Sequence, residues 1–285
     1  MKTLPDNFGQ FDFVPCFLIY GPFGSGKTFS IGTLPDPILY IGTEPRDPRV
    51  VLRYHKHKKF TWRFPENFDE IMNLLSTIKR RIDQKQFNYK SVAFDSLSFC
   101  QGLFKLKLED DRYLARLSVD KAREGLIDRF RIDEADWGPV ASVMKRITTA
   151  LNLLSQSGVI VVATASEMEH PKWNRELVAA PAFQGKEFSM LVNGYFDFIG
   201  YIEQPWYVEE DSQTGEKKIH PSIVSFVSPP DSPYVAKCCS NALIKKGKGP
   251  LDFEKILKII YEEQKTEPEG PGEKGGELTE QGESL

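Results

Sequence analysis

A glycine-rich segment that directly follows a short apolar run constrains the fold of this chain more than any other feature. The apolar run is CFLIY (16–20). The next eight residues match GxxxxGK[ST] in full; they are Gly21, Pro22, Phe23, Gly24, Ser25, Gly26, Lys27 and Thr28. This order predicts a buried strand, a loop whose backbone N–H groups bind phosphates, and a helix whose N-terminal dipole faces the same anion.

The loop also predicts two cofactors, ATP and Mg²⁺. In such loops the lysine, here Lys27, contacts the β and γ phosphates, and the hydroxyl of Thr28 is a magnesium ligand. A second metal ligand is expected at the end of another buried strand, and SVAFD (91–95) ends in Asp95. An aspartate at a strand end is also a common turn residue. Beside the upstream loop, we favour the metal role for Asp95 and a part for it in catalysis.

A GTPase is disfavoured by two local patterns. No asparagine in the chain is followed by lysine, so the Asn-Lys-x-Asp box that would recognise guanine is missing. The residue three positions after Asp95 is Ser98, where a GTPase would carry glycine.

The rest of the chain alternates between strand-like and helix-like segments. Nearly continuous apolar runs predict strands at 16–20, 38–42, 91–94, 159–165 and 195–202. Apolar residues at spacings of three and four predict helices at 68–82 and 137–156. A hairpin-like turn at 211–215, a strand at 223–227 and a last helix at 251–263 follow. The pattern indicates an α/β fold with a mainly parallel sheet flanked by helices.

Composition sets the domain boundaries and the compartment. Hydrophobic residues make up 40% and charged residues 27% of the 285 residues, as in a globular protein. Residues 264–285 contain six glutamates and two lysines, a net charge of −4, and almost no apolar residue. We predict a domain over 1–263, with a net charge of +1, and a disordered acidic tail over 264–285. The apolar runs are too short for a membrane span, the N-terminus lacks a secretory signal, and four scattered cysteines fit a reducing cytoplasm.

Glu44 lies at the end of the predicted strand ILYIGTE (38–44), and it is one of several features that the chain shares with a known protein family. Together with GPFGSGKT, VAFDSLS, Asp136-Trp137-Gly138, the block PAFQGK (181–186) and Phe196-Asp197, it resembles the small phage RecA-like P-loop ATPases linked to single-strand annealing recombination. The likeness covers roughly residues 14–250. It implies a RecA-like core in which Glu44 aligns the attacking water and either Thr164 or Ser166 senses the γ phosphate. It also implies a homo-oligomer in which Lys245, Lys246 or Lys248 acts on a neighbour's nucleotide, single-stranded DNA as a partner, and a single-strand-binding or annealing protein as another. A solvated loop is the alternative for Glu44 and for the three lysines, and a solvated strand end is the alternative for Thr164 and Ser166.

Three segments are candidate surfaces for a nucleic acid. RYHKHKKFTWR (53–63) interleaves basic and aromatic residues, which could contact phosphates and stack on bases. The alternation of Phe60, Trp62 and Phe64 predicts instead an edge strand whose lysines prevent pairing with other strands, and we favour this interpretation. Residues 105–133 and 167–189 become candidates through the resemblance, although mixed charge usually marks a solvated helix face.

The sequence thus favours an ATPase that acts on single-stranded DNA in phage recombination, repair or replication. One alternative is a P-loop kinase of a small substrate. Another is a non-catalytic DNA-annealing module that binds ATP structurally.

Overall fold

A mainly parallel sheet organises the computed structural model, which describes residues 13–119, 136–171, 177–185, 188, 191–205, 207–210, 217–228 and 233–266. Within these residues the sheet has nine strands, in the order β3-β2-β4-β5-β1-β7-β10-β11, with β6 paired to β5. The strands are β1 (Cys16–Gly21), β2 (Ile38–Gly42), β3 (Phe60–Arg63), β4 (Ser91–Asp95), β5 (Ile160–Pro171), β6 (Leu177–Pro181), β7 (Phe198–Gln204), β10 (Ile223–Ser225) and β11 (Lys248–Pro250). β8 (Tyr207–Glu210) and β9 (Lys217–His220) form a separate antiparallel ribbon.

Helices cover both faces of the sheet. They are α1 (Lys27–Ile31), α2 (Arg49–Leu52), α3 (Phe68–Asp83), α4 (Leu97–Val119), α5 (Trp137–Gln156), α6 (Asn241–Lys246) and α7 (Phe253–Thr266). Leu18 and Tyr20 pack with α3, α4 and α5, while Phe17 and Ile19 pack with α1, α6 and α7. Because alternate residues of one strand enter two cores, the strand is apolar throughout.

Strand register aligns the carboxyl ends of four strands, β1, β2, β4 and β5, on the same side of the fold. Gly21 of β1 pairs with Ser166 of β5, and Gly42 of β2 pairs with Asp95 of β4. The loops that follow β1, β2 and β4 therefore start side by side, which is where parallel α/β sheets bind ligands.

Several predicted elements are confirmed. The helix after the glycine-rich loop, the strands β2 and β4, and α5 lie where the sequence predicts them. The Asn67 side chain accepts a hydrogen bond from the backbone N–H of Glu70 and so caps the N-terminus of α3. The four cysteines are free.

Other elements differ from the sequence prediction. The strand predicted at 159–165 runs on to Pro171 and folds back through β6, so the start of the segment 167–189 is an antiparallel ribbon. The strand predicted at 195–202 begins at Phe198, because a 3-10 turn occupies Val192–Gly194.

The C-terminal part of the fold also requires corrections. β8 and β9 pair antiparallel with each other, whereas the strand predicted at 223–227 covers only Ile223–Ser225 and enters the main sheet antiparallel to β7. The predicted turn at 211–215 lies outside the described residues. The last helix runs from Phe253 to Thr266, so the first three residues of the predicted tail are helical and the rest lie outside the described residues. In the described part of the chain, no helix has the length and apolar character to cross a membrane.

Candidate nucleotide-binding and hydrolysis site

The loop after β1 folds so that its backbone and its lysine face one cavity. Gly24 and Gly26 have φ angles of 75° and 85°, a left-handed region that glycine enters without strain. The Lys27 ammonium donates to the carbonyl oxygens of Gly21 and Pro22 at 2.8 and 2.7 Å and to the hydroxyl of Ser25 at 3.3 Å. Burial lowers the pKa of Lys27, and the nearby carboxylates of Asp95 and Glu44 oppose that shift. The loop is therefore a buried, cationic cradle for an anion.

The Asp95 carboxylate lies at the centre of a cluster of hydroxyl groups. Its Oδ2 accepts hydrogen bonds from Thr28 Oγ1 at 2.8 Å and from the Tyr40 hydroxyl at 2.7 Å. Its Oδ1 accepts a hydrogen bond from Thr164. Asp95 is only 1% exposed, so these donors replace the water that would otherwise solvate the charge. The two predicted metal ligands, Thr28 and Asp95, are thus in direct contact.

Glu44 is held next to Asp95 by three hydrogen bonds of Thr43 that join the ends of β2 and β4. We call these three hydrogen bonds the lock. The backbone N–H of Thr43 donates to the Asp95 carbonyl at 2.8 Å. Thr43 Oγ1 donates to the Ser96 carbonyl at 2.6 Å and accepts from the Ser96 N–H at 3.0 Å. Glu44 follows immediately, half-buried, with a hydrogen bond from the Ser96 side chain. Burial raises the pKa of Glu44, and the charge of Asp95 raises it further.

A cavity of about 350 Å³ opens beside the glycine-rich loop. Its walls combine the loop with Glu44 and a group of apolar and aromatic side chains that includes Phe23, Phe29, Val51, Tyr54 and Phe99. Phe23 is 75% exposed and Tyr54 is 58% exposed, so ring faces are accessible at the cavity mouth. The cavity therefore offers phosphate donors at one end and flat apolar surfaces at the other.

A second, wider groove of about 670 Å³ adjoins this cavity and shares Glu44, Pro45 and Phe99 with it. Its other walls include Glu66, Glu109, Lys105 and Gln184. Three carboxylates thus line it against one lysine, which makes it a poor surface for a polyanion.

These features agree with a comparison to known protein families. A family model described as an AAA domain matches residues 15–225, well over half of the chain. The chain belongs to the AAA domain family. The match makes it a nucleotide-binding P-loop ATPase domain of the α/β class, as the sequence predicts. No curated protein matches the chain.

Several residues of this AAA domain escaped the sequence analysis. Tyr40, Thr43 and Ser96 make the contacts just described, and Ser222 donates a hydrogen bond to the Ser25 carbonyl from the strand connection before β10. Their only signal in the sequence is a hydroxyl-bearing residue within or next to an apolar strand. It is a weak one, because strand register decides what such side chains touch.

The two predicted sensor residues of the AAA domain differ in the hydrogen bonding of their hydroxyl groups. Thr164 is fully buried and its hydroxyl donates to Asp95. Ser166 is 6% exposed, and its hydroxyl has no partner in the described part of the chain, although its backbone N–H donates to Ser98 Oγ. Because Ser166 pairs with Gly21, it is the hydroxyl of the two that remains available beside the loop.

The three lysines predicted to act on a neighbouring subunit are not brought to the nucleotide cavity of their own chain. Lys245 and Lys246 end α6, and Lys248 begins β11 at the sheet edge. Lys248 forms an ion pair with Glu203 at 3.2 Å. Any role at a nucleotide would therefore require a second copy of the chain.

The candidate nucleic-acid surfaces differ in whether their basic side chains form ion pairs with acidic residues. On α4, Lys105 pairs with Glu109, Lys107 with Asp69 and Asp111, and Arg112 with Asp136. The remaining lysines and arginines of 105–133 and 167–189 either belong to the end of α4 or lie outside the described residues.

The edge-strand prediction for 53–63 is confirmed only for Phe60–Arg63, because Arg53–His55 form a 3-10 helix, and Phe64, predicted to enter the core, is 45% exposed. β3 is the edge strand of the sheet next to β2, and Phe60 and Trp62 pack against the core. Arg53, Lys56, Lys59 and Arg63 are exposed, and none forms an ion pair with the acidic residues that the structure describes.

Proposed function

We propose that the protein is a RecA-like ATPase of phage origin that hydrolyses Mg²⁺-ATP and acts on single-stranded DNA in recombination, repair or replication in the host cytoplasm. The observation that supports hydrolysis best is the convergence of Lys27, Thr28, Asp95 and Glu44 at one edge of the sheet. Phosphoryl transfer needs mainly positioning and charge neutralisation, and these four groups supply both.

The residues of the chain divide the work by position. The N–H groups of the loop and the Lys27 ammonium bind the phosphates, because they are the buried donors of the cavity. Glu44 accepts a hydrogen bond from the attacking water and aligns it, since it is a half-buried carboxylate beside the phosphate end of the same cavity. Ser166 senses the γ phosphate with its unpartnered hydroxyl.

The metal site fits magnesium by its donor chemistry. A hydroxyl and a carboxylate in contact are hard oxygen ligands, and Mg²⁺ usually takes one or two protein ligands with substrate phosphates and waters. Mg²⁺ bound there would neutralise the phosphate charge that develops in the transition state. The donation from Thr28 to Asp95 directs the hydroxyl proton toward the carboxylate and leaves the lone pairs of Thr28 Oγ1 for a cation.

Single-stranded DNA is best supported by the segment 53–63. Its four exposed basic side chains have no acidic partner among the described residues, whereas the described α4 cations are neutralised. Unpaired cations bind phosphates more strongly than paired ones, because no ion pair must first be broken. This segment also contributes Tyr54 to the nucleotide cavity, which gives bound DNA a route to influence ATP turnover.

We also propose homo-oligomerisation and a single-strand-binding or annealing partner. In an oligomer, one of Lys245, Lys246 and Lys248 would act on the nucleotide of the adjacent copy. These lysines lie at the sheet edge formed by β11, opposite the edge formed by β3, so two edges of different character are available for contact between copies.

A kinase of a small substrate is the second candidate, and the wide groove supports it. The groove shares Glu44 with the nucleotide cavity, so a small molecule bound there would lie beside the γ phosphate. A kinase would transfer phosphate to that molecule and would not respond to DNA.

The test is the rate of phosphate release from ATP with and without single-stranded DNA, at two salt concentrations. We expect DNA to stimulate release at low salt, with less stimulation at high salt as cations displace the protein from the phosphates. Replacement of Arg53, Lys56 and Lys59 by glutamine should abolish the stimulation. Replacement of Lys105 and Lys107 by glutamine, which removes the same kind of charge from ion pairs, should preserve it. Turnover without any DNA effect would contradict the DNA proposal, and ATP binding without turnover would favour a non-catalytic annealing module.

A further inference from the structure

The Tyr40 hydroxyl makes a contact that nucleotide binding alone does not require. Tyr40 lies in the middle of β2, is 1% exposed, and donates to Asp95 Oδ2 at 2.7 Å. Asp95 Oδ2 is also the oxygen that accepts the Thr28 hydroxyl. A buried tyrosine could satisfy its hydroxyl on any nearby carbonyl, as Tyr20 does with the carbonyls of Ala179 and Val235. Tyr40 instead uses the carboxylate of the predicted metal site.

The placement of Tyr40 follows from strand register. Tyr40 pairs with Ala93 on β4, and both belong to the core on the α1 side of the sheet. Side chains alternate between the faces of a strand, so Asp95, two residues after Ala93, points to the same side. Val162 is in the same core, which places Thr164 on that face as well. Tyr40 and Thr164 therefore reach Asp95 from the strands on its two sides, while Thr28 reaches it from α1.

Gly42 provides the space that this contact needs. A Cβ atom at Gly42 would lie 2.8 Å from Tyr40 Cε1, closer than a real Cβ atom approaches another side chain, and 3.0 Å from Phe64 Cδ1, which is a tight contact. The tyrosine ring is further enclosed by Trp62 and Phe64, at centroid distances of 5.2 and 6.2 Å. The ring thus packs among Gly42, Trp62 and Phe64, with its hydroxyl directed at the carboxylate.

We infer that Tyr40 is a positioning residue for the metal site. Its hydroxyl fixes the Asp95 carboxylate in the orientation that accepts the hydrogen bond from Thr28. That hydrogen bond in turn leaves the lone pairs of Thr28 Oγ1 directed toward Mg²⁺. This inference rests on the proposed Mg²⁺-ATP function. Without the Tyr40 hydroxyl, Asp95 keeps two of its three donors, and Oδ2 is no longer fixed from the β2 side. ATP binding through the loop and Lys27 does not involve this contact, so Tyr40 should affect only the metal-dependent part of binding.

The experiment compares ATP affinity in Mg²⁺ and in EDTA, by titration calorimetry, for the parent protein and Tyr40→Phe. We expect equal affinity in EDTA. In Tyr40→Phe the Mg²⁺ concentration that gives half of the affinity gain should be raised about tenfold, the size expected when a hydrogen bond to a charged group is lost. Tyr20→Phe is the matched control. It removes a buried tyrosine hydroxyl from the neighbouring core without touching Asp95, and its Mg²⁺ dependence should equal that of the parent.

A second variant keeps the test decisive if Tyr40→Phe folds poorly. Gly42→Ala retains the hydroxyl and pushes the ring away from its position, so it should show the same shift in Mg²⁺ dependence. Parent-like Mg²⁺ dependence in both variants would overturn the role of Tyr40 and leave the proposed function intact. A parent protein whose ATP affinity is the same in Mg²⁺ and in EDTA would overturn both.

Discussion

At the scale of single residues, the site holds two charged groups where their surroundings oppose their charge. Burial lowers the pKa of Lys27 and raises the pKa of Glu44. Each group would be more stable in water, and both are kept where a bound phosphate and an attacking water need them. Active sites commonly carry such perturbed groups, because groups placed for chemistry are not placed for stability.

Glu44→Gln should separate binding from hydrolysis. The amide keeps the size of the side chain and loses the carboxylate that aligns water, so we expect hydrolysis to fall at least ~10²-fold while ATP still binds. Single-turnover hydrolysis and equilibrium binding, measured on the same samples, test this. Parent-like turnover would remove Glu44 from the mechanism.

The same variant should gain stability at neutral pH. A raised pKa means that the folded state holds the Glu44 proton more tightly than the unfolded state does, so stability falls as pH rises through the window from the ordinary glutamate pKa to the raised one. Above that window the parent bears the cost of a half-buried charge, and Glu44→Gln does not. Because Glu44 is partly solvated, we expect less than ~1 kcal/mol, or a melting temperature a few degrees higher. The gain should shrink as pH is lowered toward the ordinary glutamate pKa; a gain independent of pH would contradict this origin.

At the scale of elements, contacts between the ends of the strands determine where the side chains of the candidate site lie. The ends of β2 and β4 are joined by three hydrogen bonds of Thr43, and this lock places Glu44 against Asp95 and Ser96. The sequence predicts both strands but not the lock, since it depends on the pairing of Gly42 with Asp95.

Thr43→Val tests the lock. Valine keeps the shape and the strand preference but leaves the Ser96 N–H and carbonyl without the hydroxyl, at a cost of about 1–3 kcal/mol. We expect lower stability in urea and slower hydrolysis through displacement of Glu44. Thr61→Val on the edge strand β3 is the matched control and should change neither. Equal behaviour of the two variants would show that the hydroxyl of Thr43 is unimportant.

What the sequence could predict at this scale follows from how local each signal is. The loop, α1 and the strand before Asp95 are coded by adjacent residues, and they were predicted correctly. The helix α4 was missed. Leu97, Cys100 and Phe104 are buried, while Leu106 and Leu114 are exposed, so the apolar stripe does not extend along the whole described length of the helix.

The contacts of Tyr40 and Thr164 with Asp95 could not be predicted either. They join three strands that are far apart in the chain, and the registers that align them are properties of the assembled sheet. A sequence read one segment at a time contains the residue types but not their alignment.

At the scale of the whole molecule, charge is divided between the folded domain and the C-terminal segment. Residues 267–285 contain six glutamates and one lysine, and they follow directly on α7. A polyanionic segment competes with DNA for basic surface wherever it comes within a Debye length of about 8 Å at physiological salt.

Removal of residues 267–285 should therefore tighten binding of single-stranded DNA at low salt, with the difference shrinking as salt rises. Truncation after Thr266 keeps α7 intact, including Gln264, whose side chain donates to the Phe13 carbonyl. Fluorescence anisotropy over a salt series, on the full chain and the truncated one, measures the effect. Overlapping curves at low salt would leave this segment without a role in DNA binding.

The central claim is that the glycine-rich loop with Lys27 is the place where ATP is bound and hydrolysed. The most direct measurement is ATP binding and phosphate release in Mg²⁺ by the parent and by Lys27→Ala, with Lys258→Ala on α7 as a control for the loss of a lysine outside the nucleotide cavity. We predict that Lys27→Ala loses binding and release, because the buried ammonium of the phosphate cradle is gone. Lys258→Ala should still bind ATP and release phosphate like the parent. Binding and release by Lys27→Ala at the parent level would contradict the account, because ATP would then be bound and hydrolysed elsewhere.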